Sequence, residues 1–204
     1  MPSQEDLLVS TSTLSPTSAE QLAERRDAAL REAPKHTQLL RSARDGRRLS
    51  ALMLPLYAIA TPPGHGVLTT VGRRTGKQRR KCIRAIRHGD TVYVVMLRLP
   101  AAVIKDTHVV AAWVLNIRAN PSVRLKLGRR THDAIAREIT DPGELQAARE
   151  AICETVHLVD YGECDLHLRG LPTRAKIKEL HRYWFDTGVP IAIDLAATTH
   201  PHDV

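Results

Sequence analysis

The segment Gly72-Arg-Arg-Thr-Gly-Lys-Gln-Arg-Arg-Lys81 is a glycine-bracketed basic turn between two apolar runs, and it dictates a β-hairpin. Val67-Leu-Thr-Thr-Val71 precedes it and Cys82-Ile-Arg-Ala-Ile86 follows. Eight of the fifteen residues from Arg73 to Arg87 are Lys or Arg. Gly72 and Gly76 let the backbone turn tightly while several guanidinium groups converge. Such a cluster repels itself unless an anion neutralises it, and arginines suit phosphate and carboxylate.

The periodicity around the hairpin predicts five strands, at Val67–Val71, Arg80–Arg87, Val92–Leu97, Ser122–Leu127 and His132–Ile139. Tight-turn signals, His88-Gly-Asp90 and Gly128-Arg-Arg-Thr131, join neighbouring strands. A short helix over Ala111–Ala119 stops before Asn120-Pro121, and Val103–Val110 reads as extended. A small antiparallel barrel satisfies this pattern and removes exposed edges. Helices are expected from Ser18 to Glu32, Thr37 to Ala60, Glu144 to Leu158 and Thr173 to Phe185. In the second of these, Leu49, Leu52, Met53, Leu56 and Tyr57 form an apolar face that must pack, and Pro55 kinks or ends the helix. Ile191–Leu195 offers a last strand.

The 204 residues suffice for one core, divided as a disordered tail (1–17), N-terminal helices (18–60), the barrel (64–140), a helical C-terminal section (141–196) and a second tail (197–204). A net charge of +8 favours polyanionic partners. Aromatic residues make up only 3% of the chain, which argues against nucleic acid, because single-strand binders stack bases on aromatic platforms. Three cysteines give no disulfide framework and suit a reducing cytoplasm. The longest apolar run, Leu49 to Ala60, is too short to span a bilayer of about 30 Å. Flanked by Arg47 and Arg48, it leaves peripheral contact with anionic lipid open.

Leu68-Thr-Thr-Val-Gly-Arg-Arg-Thr-Gly-Lys-Gln-Arg79, then Trp113-Val-Leu-Asn-Ile-Arg-Ala-Asn-Pro121, then Val123-Arg-Leu-Lys-Leu-Gly128 resembles the deazaflavin-dependent nitroreductase family in both order and spacing. The resemblance implies an α+β fold, a split β-barrel of the FMN-binding kind, mainly antiparallel, with N- and C-terminal helices. It also implies coenzyme F420, a deazaflavin with a phosphodiester and a glutamate tail, with FMN as the alternative. Cofactor-binding positions then fall on Arg73, Arg74, Thr75, Gly76, Arg79, Arg80, Lys81, Arg98, Trp113 and Asn116. The activity implied is hydride transfer to an electron-poor small molecule: an enone, quinone, nitro compound or imine. Split barrels commonly pair, so the resemblance is compatible with a homodimer.

Tyr161, His181 and Tyr183 are the candidate proton donors, set against a reading in which Tyr183-Trp-Phe185 plugs the core. Cys153, His157, Cys164 and His167 have ligand-like spacing but read better as packed residues, so no metal is expected. The competing function is a non-catalytic barrel that holds FMN, haem or nucleic acid through the basic hairpin.

Overall fold

The computed structural model describes residues 16–196 apart from 38 and 41. Of the two expected tails, 1–17 and 197–204, only residues 16 and 17 are described, and they open the first helix. The strands are β1 (His65–Val71), β2 (Gln78–Arg84), β3 (Ile86–His88), β4 (Thr91–Met96), β5 (Ser122–Leu127), β6 (Arg130–Glu138) and β7 (Val189–Leu195). They form one antiparallel sheet in the order β2-β1-β5-β6-β7-β4-β3.

β2 and β3 are separated in the chain by Ala85 alone, yet they stand at opposite ends of that order. The sheet must therefore curl until its ends meet, and the Ala85 N–H closes the bend on the Gly64 carbonyl at 2.8 Å. No ladder joins the two end strands among the described residues, so the barrel is split. The expected strand over Arg80–Arg87 is thus two strands broken at the closing point.

Leu68, Val94, Leu125, Ile191 and Ile193 fill the interior and are almost fully buried. Each such side chain contributes roughly 1.5–3 kcal/mol on burial. Helix α4 (Ala112–Ala119) adds Trp113, Val114 and Ile117 to the same core.

The other helices are α1 (Pro16–Glu32), α2 (Ala43–Ile59), α3 (Pro100–Lys105), α5 (Pro142–Glu154), α6 (Leu158–His167) and α7 (Arg174–Thr187). Several depart from expectation. Residues 103–105, the start of the segment expected to be extended, are helical in α3, because Pro100 sits at the first helical position, where its fixed φ favours a start. Helix α2 begins only at Ala43, where Ser42 and Asp45 form a reciprocal cap. The segment before it is pinned to the end of α6 instead, with the Thr37 N–H on the His167 carbonyl at 2.8 Å. Pro55 does not stop α2, which continues to Ile59.

Nor does the expected apolar face of α2 pack as a unit. Tyr57 is buried, but Leu52, Leu56 and Ile59 are 73%, 63% and 74% exposed. The inward face is centred on Ser50 and Tyr57 and is rotated away from Leu52 and Leu56. The helix expected over Glu144–Leu158 ends at Glu154, and α6 went unread in the sequence; there Asp160 accepts the His157 N–H at 2.7 Å and starts it. Among the described residues no helix is long and apolar enough to cross a membrane.

Candidate functional site

The β1–β2 turn is built on its own hydrogen bonds. The Gly72 N–H donates to the Lys77 carbonyl at 2.9 Å, while Thr75 and Gly76 donate back to the Gly72 carbonyl. Gly76 has φ +64°, a left-handed conformation that strongly favours glycine. The turn is also tied to the barrel from below. Asn116 on α4 accepts the Arg73 backbone N–H at 3.2 Å through Oδ1 and donates through Nδ2 to Thr70 Oγ1 at 3.1 Å. A buried amide thus fixes both the strand and its turn.

Strand register sorts the cations. Arg79 lies opposite Thr70, and Lys81 opposite Leu68. Residues directly opposite share a face of the sheet. Leu68 is interior and Thr70 meets α4, so Arg79 and Lys81 share the face of the sheet that carries these two residues. Arg80 lies opposite Thr69 on the other face, as does Cys82, whose thiol meets the Ser50 carbonyl of α2. Burial depresses the Lys81 pKa, and neighbouring Arg47 adds to the effect.

Arg73, Arg74, Lys77, Arg79 and Arg80 are all exposed. None has a carboxylate partner among the described residues. A cleft of about 550 Å³ opens at the base of the hairpin, lined among others by Thr69, Val71, Gln78, Arg124 and Asp133. A second gap, between Arg84, Tyr93, Val95, Leu97, Ile152 and Trp184, measures about 10 Å³. It has room for little more than one water.

The other expected site residues are placed differently. Trp113 is 8% exposed and belongs to the barrel core. Arg98 is 6% exposed; Nε donates to the Val109 carbonyl, and Nη1 donates to the carbonyls of Thr187 and Gly188. Burial pulls its pKa down to about 10. This guanidinium staples the β4–α3 loop to the α7–β7 junction.

His181 and Tyr183 are buried in the α6–α7 layer, His181 beside Trp184 and Tyr183 beside His36. Desolvation lowers the His181 pKa to about 4 and raises that of Tyr183 to about 12. Tyr161 is half-buried at the edge of that layer. No hydrogen bond or ring contact among the described residues joins any of the three to the hairpin. Cys153 and Cys164 are buried free thiols in different clusters.

Sequence reasoning did not single out Thr70, the anchor of Asn116, which lies 46 residues away in the chain. The division of Arg79 and Lys81 from Arg80 was readable in principle from the period of two along β2.

The barrel is thus split, and its cationic hairpin stands on its own hydrogen bonds with no carboxylate partner among the described residues. The model of the F420H(2)-dependent quinone reductase family matches residues 58–163, and the chain belongs to that family. It is an F420-dependent reductase, and its cofactor is coenzyme F420. Among solved structures, an F420-H2-dependent reductase, FDR-A, is similar at 18% identity over 67% of this chain and 97% of its own, with a TM-score of 0.44. A chain described as a domain-swapped dimer is similar at 17% identity over 76% of this chain and 100% of its own, with a TM-score of 0.44. HutZ, a haem storage protein of Vibrio cholerae, is similar at 14% identity over 65% of this chain and 82% of its own, with a TM-score of 0.39.

The residues present fit the coenzyme. Five exposed cations on a preformed turn are the donor set that a phosphodiester and a row of carboxylates require.

Proposed function

We propose that this chain reduces a small quinone, or a similarly electron-poor enone, nitro compound or imine, with hydride from reduced F420. The observation that carries the reading is the hairpin at Gly72–Lys81, held rigid by Asn116 while its cations stay unpaired. Arg73, Arg74, Arg79 and Lys81 hold the phosphodiester and glutamates, with Thr75 and Gly76 shaping the turn and Arg80 adding charge from the other face. When bound, the coenzyme supplies the hydride. The chain orients it, and α4, with Trp113 and Asn116, supports the wall of its site. Arg98 fixes the loop that follows β4. Of the three candidate proton donors, Tyr161 alone is half-exposed and is the one retained, while His181 and Tyr183 act in packing. In this reading residues 64–140 are the cofactor-binding core, with helical layers from 18–60 and 141–196.

The test is direct. Purified protein should quench coenzyme F420 fluorescence at micromolar concentration, and the double variant Arg74→Ala, Arg79→Ala should abolish the effect. Oxidation of the reduced coenzyme by a panel of quinones, enones and nitro compounds then assigns the substrate class. Binding of FMN or haem with no response to F420 overturns the proposal.

A second reading concerns location. The exposed Leu52, Leu56 and Ile59 of α2 lie beyond the exposed Arg44, Arg47 and Arg48 on the same helix. That arrangement supports peripheral contact with an anionic lipid surface, where quinones partition. Flotation with phosphatidylglycerol vesicles should be lost in Leu52→Gln, Leu56→Gln. Unchanged flotation, or a concentration-dependent dimer lost in the same variant, would assign the face elsewhere.

A further inference from the structure

A second charged centre lies where β1, β2 and α6 meet. His65 opens β1, Arg84 closes β2, and Asp160 and Glu163 lie three residues apart on α6. One ligand-type atom from each of His65, Asp160 and Glu163 lies within 4.8 Å of the other two. These groups do not close on one another. His65 Nε2 stands 3.7 Å from Glu163 Oε2, and Arg84 Nε stands 3.5 Å from Asp160 Oδ1. Both separations exceed the roughly 2.7–3.2 Å of a hydrogen bond.

Asp160 Oδ1 and Glu163 Oε2 are therefore buried without a hydrogen-bond partner among the described residues. An unpaired buried polar atom costs on the order of 1–3 kcal/mol, so two in one place call for a shared partner. Donors that bind one ion at about 2.0–2.2 Å stand roughly 3–4.4 Å from each other.

We propose that His65, Asp160 and Glu163 bind one divalent first-row transition ion. Mixed imidazole and carboxylate donors suit zinc or manganese. Asp160 is already oriented for the task. Its Oδ2 accepts the His157 N–H at 2.7 Å, and Arg84 facing Oδ1 is itself held by the Ile152 and Thr155 carbonyls at 3.1 and 2.6 Å. Outer-shell bonds of this kind fix the direction of a ligating carboxylate. The ion clips α6 to the first strand of the barrel. The competing arrangement is a proton on His65, whose pKa the Glu163 partner raises although burial alone would lower it.

The experiment uses the full chain, stripped with chelator and titrated calorimetrically with zinc and, separately, manganese chloride. One equivalent of at least one ion should bind and raise the melting temperature. Glu163→Gln and His65→Gln should each lose stoichiometric binding with an unchanged far-UV spectrum. If His65→Gln unfolds, Glu163→Gln decides alone, since the Glu163 side chain is 23% exposed and tolerates the isostere. Absence of stoichiometric binding of either ion assigns the cluster to the protonated ion pair and overturns the proposal. Binding that persists in Glu163→Gln overturns it as well. F420 quenching is a separate readout and does not bear on this outcome.

Discussion

Asn116 and Arg73 are 43 residues apart in the chain and joined by one hydrogen bond, from the Arg73 backbone N–H to Asn116 Oδ1 at 3.2 Å. The other end of the same amide holds buried Thr70. One side chain thus sets the height of the basic turn above α4. Asn116→Ala leaves the Thr70 hydroxyl and the Arg73 N–H without these bonds. It should lower unfolding free energy by about 1–3 kcal/mol in urea titration and weaken F420 quenching. Asn116→Asp, which keeps the acceptor and loses the donor, should fall between.

Register predicts unequal roles for adjacent arginines. Arg79 shares one face of the sheet with Lys81, and Arg80 shares the other with Cys82. Arg79→Ala should weaken F420 binding by roughly ten- to hundred-fold, the equivalent of losing one charge-assisted bond. Arg80→Ala should cost less, and both effects should shrink as sodium chloride screens the exposed charges. Equal losses at both positions would show that the hairpin acts as an undirected charge patch.

Arg98 should behave as a structural residue. Arg98→Ala strands the carbonyls of Val109, Thr187 and Gly188 and should destabilise the fold by about 3 kcal/mol or more. Coenzyme affinity per folded molecule should stay within a few-fold of wild type. A large loss of affinity without loss of stability would return Arg98 to the cofactor site.

His36 gives stability a pH dependence. Burial, helped by His167, lowers its pKa from 6.5 to about 4, with Glu32 opposing and Lys35 reinforcing the shift. The unfolded chain takes up a proton at this position as pH falls through 6.5, whereas the folded chain does so only near 4. The contribution is therefore complete above pH 6.5 and lost progressively between 6.5 and about 4. At about 1.4 kcal/mol per unit, its share is at most about 3.5 kcal/mol. Urea midpoints for His36→Phe should fall less steeply over this window than those of wild type.

Gly188 is required where β7 leaves α7. A Cβ there would meet Val95 Cγ1 at 2.5 Å and the Met96 carbonyl at 2.7 Å, with the Trp184 carbonyl on its third side. Two of these neighbours are backbone and cannot turn aside. Gly188→Ala should lower stability by about 1–3 kcal/mol, visible as a reduced thermal midpoint.

Local features were legible in the chain alone: the hairpins, the short helix ahead of Asn120-Pro121, the last strand, and a cationic turn that demanded an anion. These follow from period-two alternation, turn glycines and local charge density, which act over a few residues. Tertiary structure alone decided the rest. It put Arg98 under three carbonyls, the nearest of them 11 residues away, and it turned Leu52 and Leu56 of α2 to solvent. It placed His181 and Tyr183 inside a helical layer and assembled His65, Arg84, Asp160 and Glu163 from three elements. The physical reason is that burial and pairing depend on which elements meet, and chain spacing carries no record of that. The basic turn was legible because its chemistry is local. Which of its arginines share a face of the sheet was decided by pairing with Leu68 and Thr70 across the ladder.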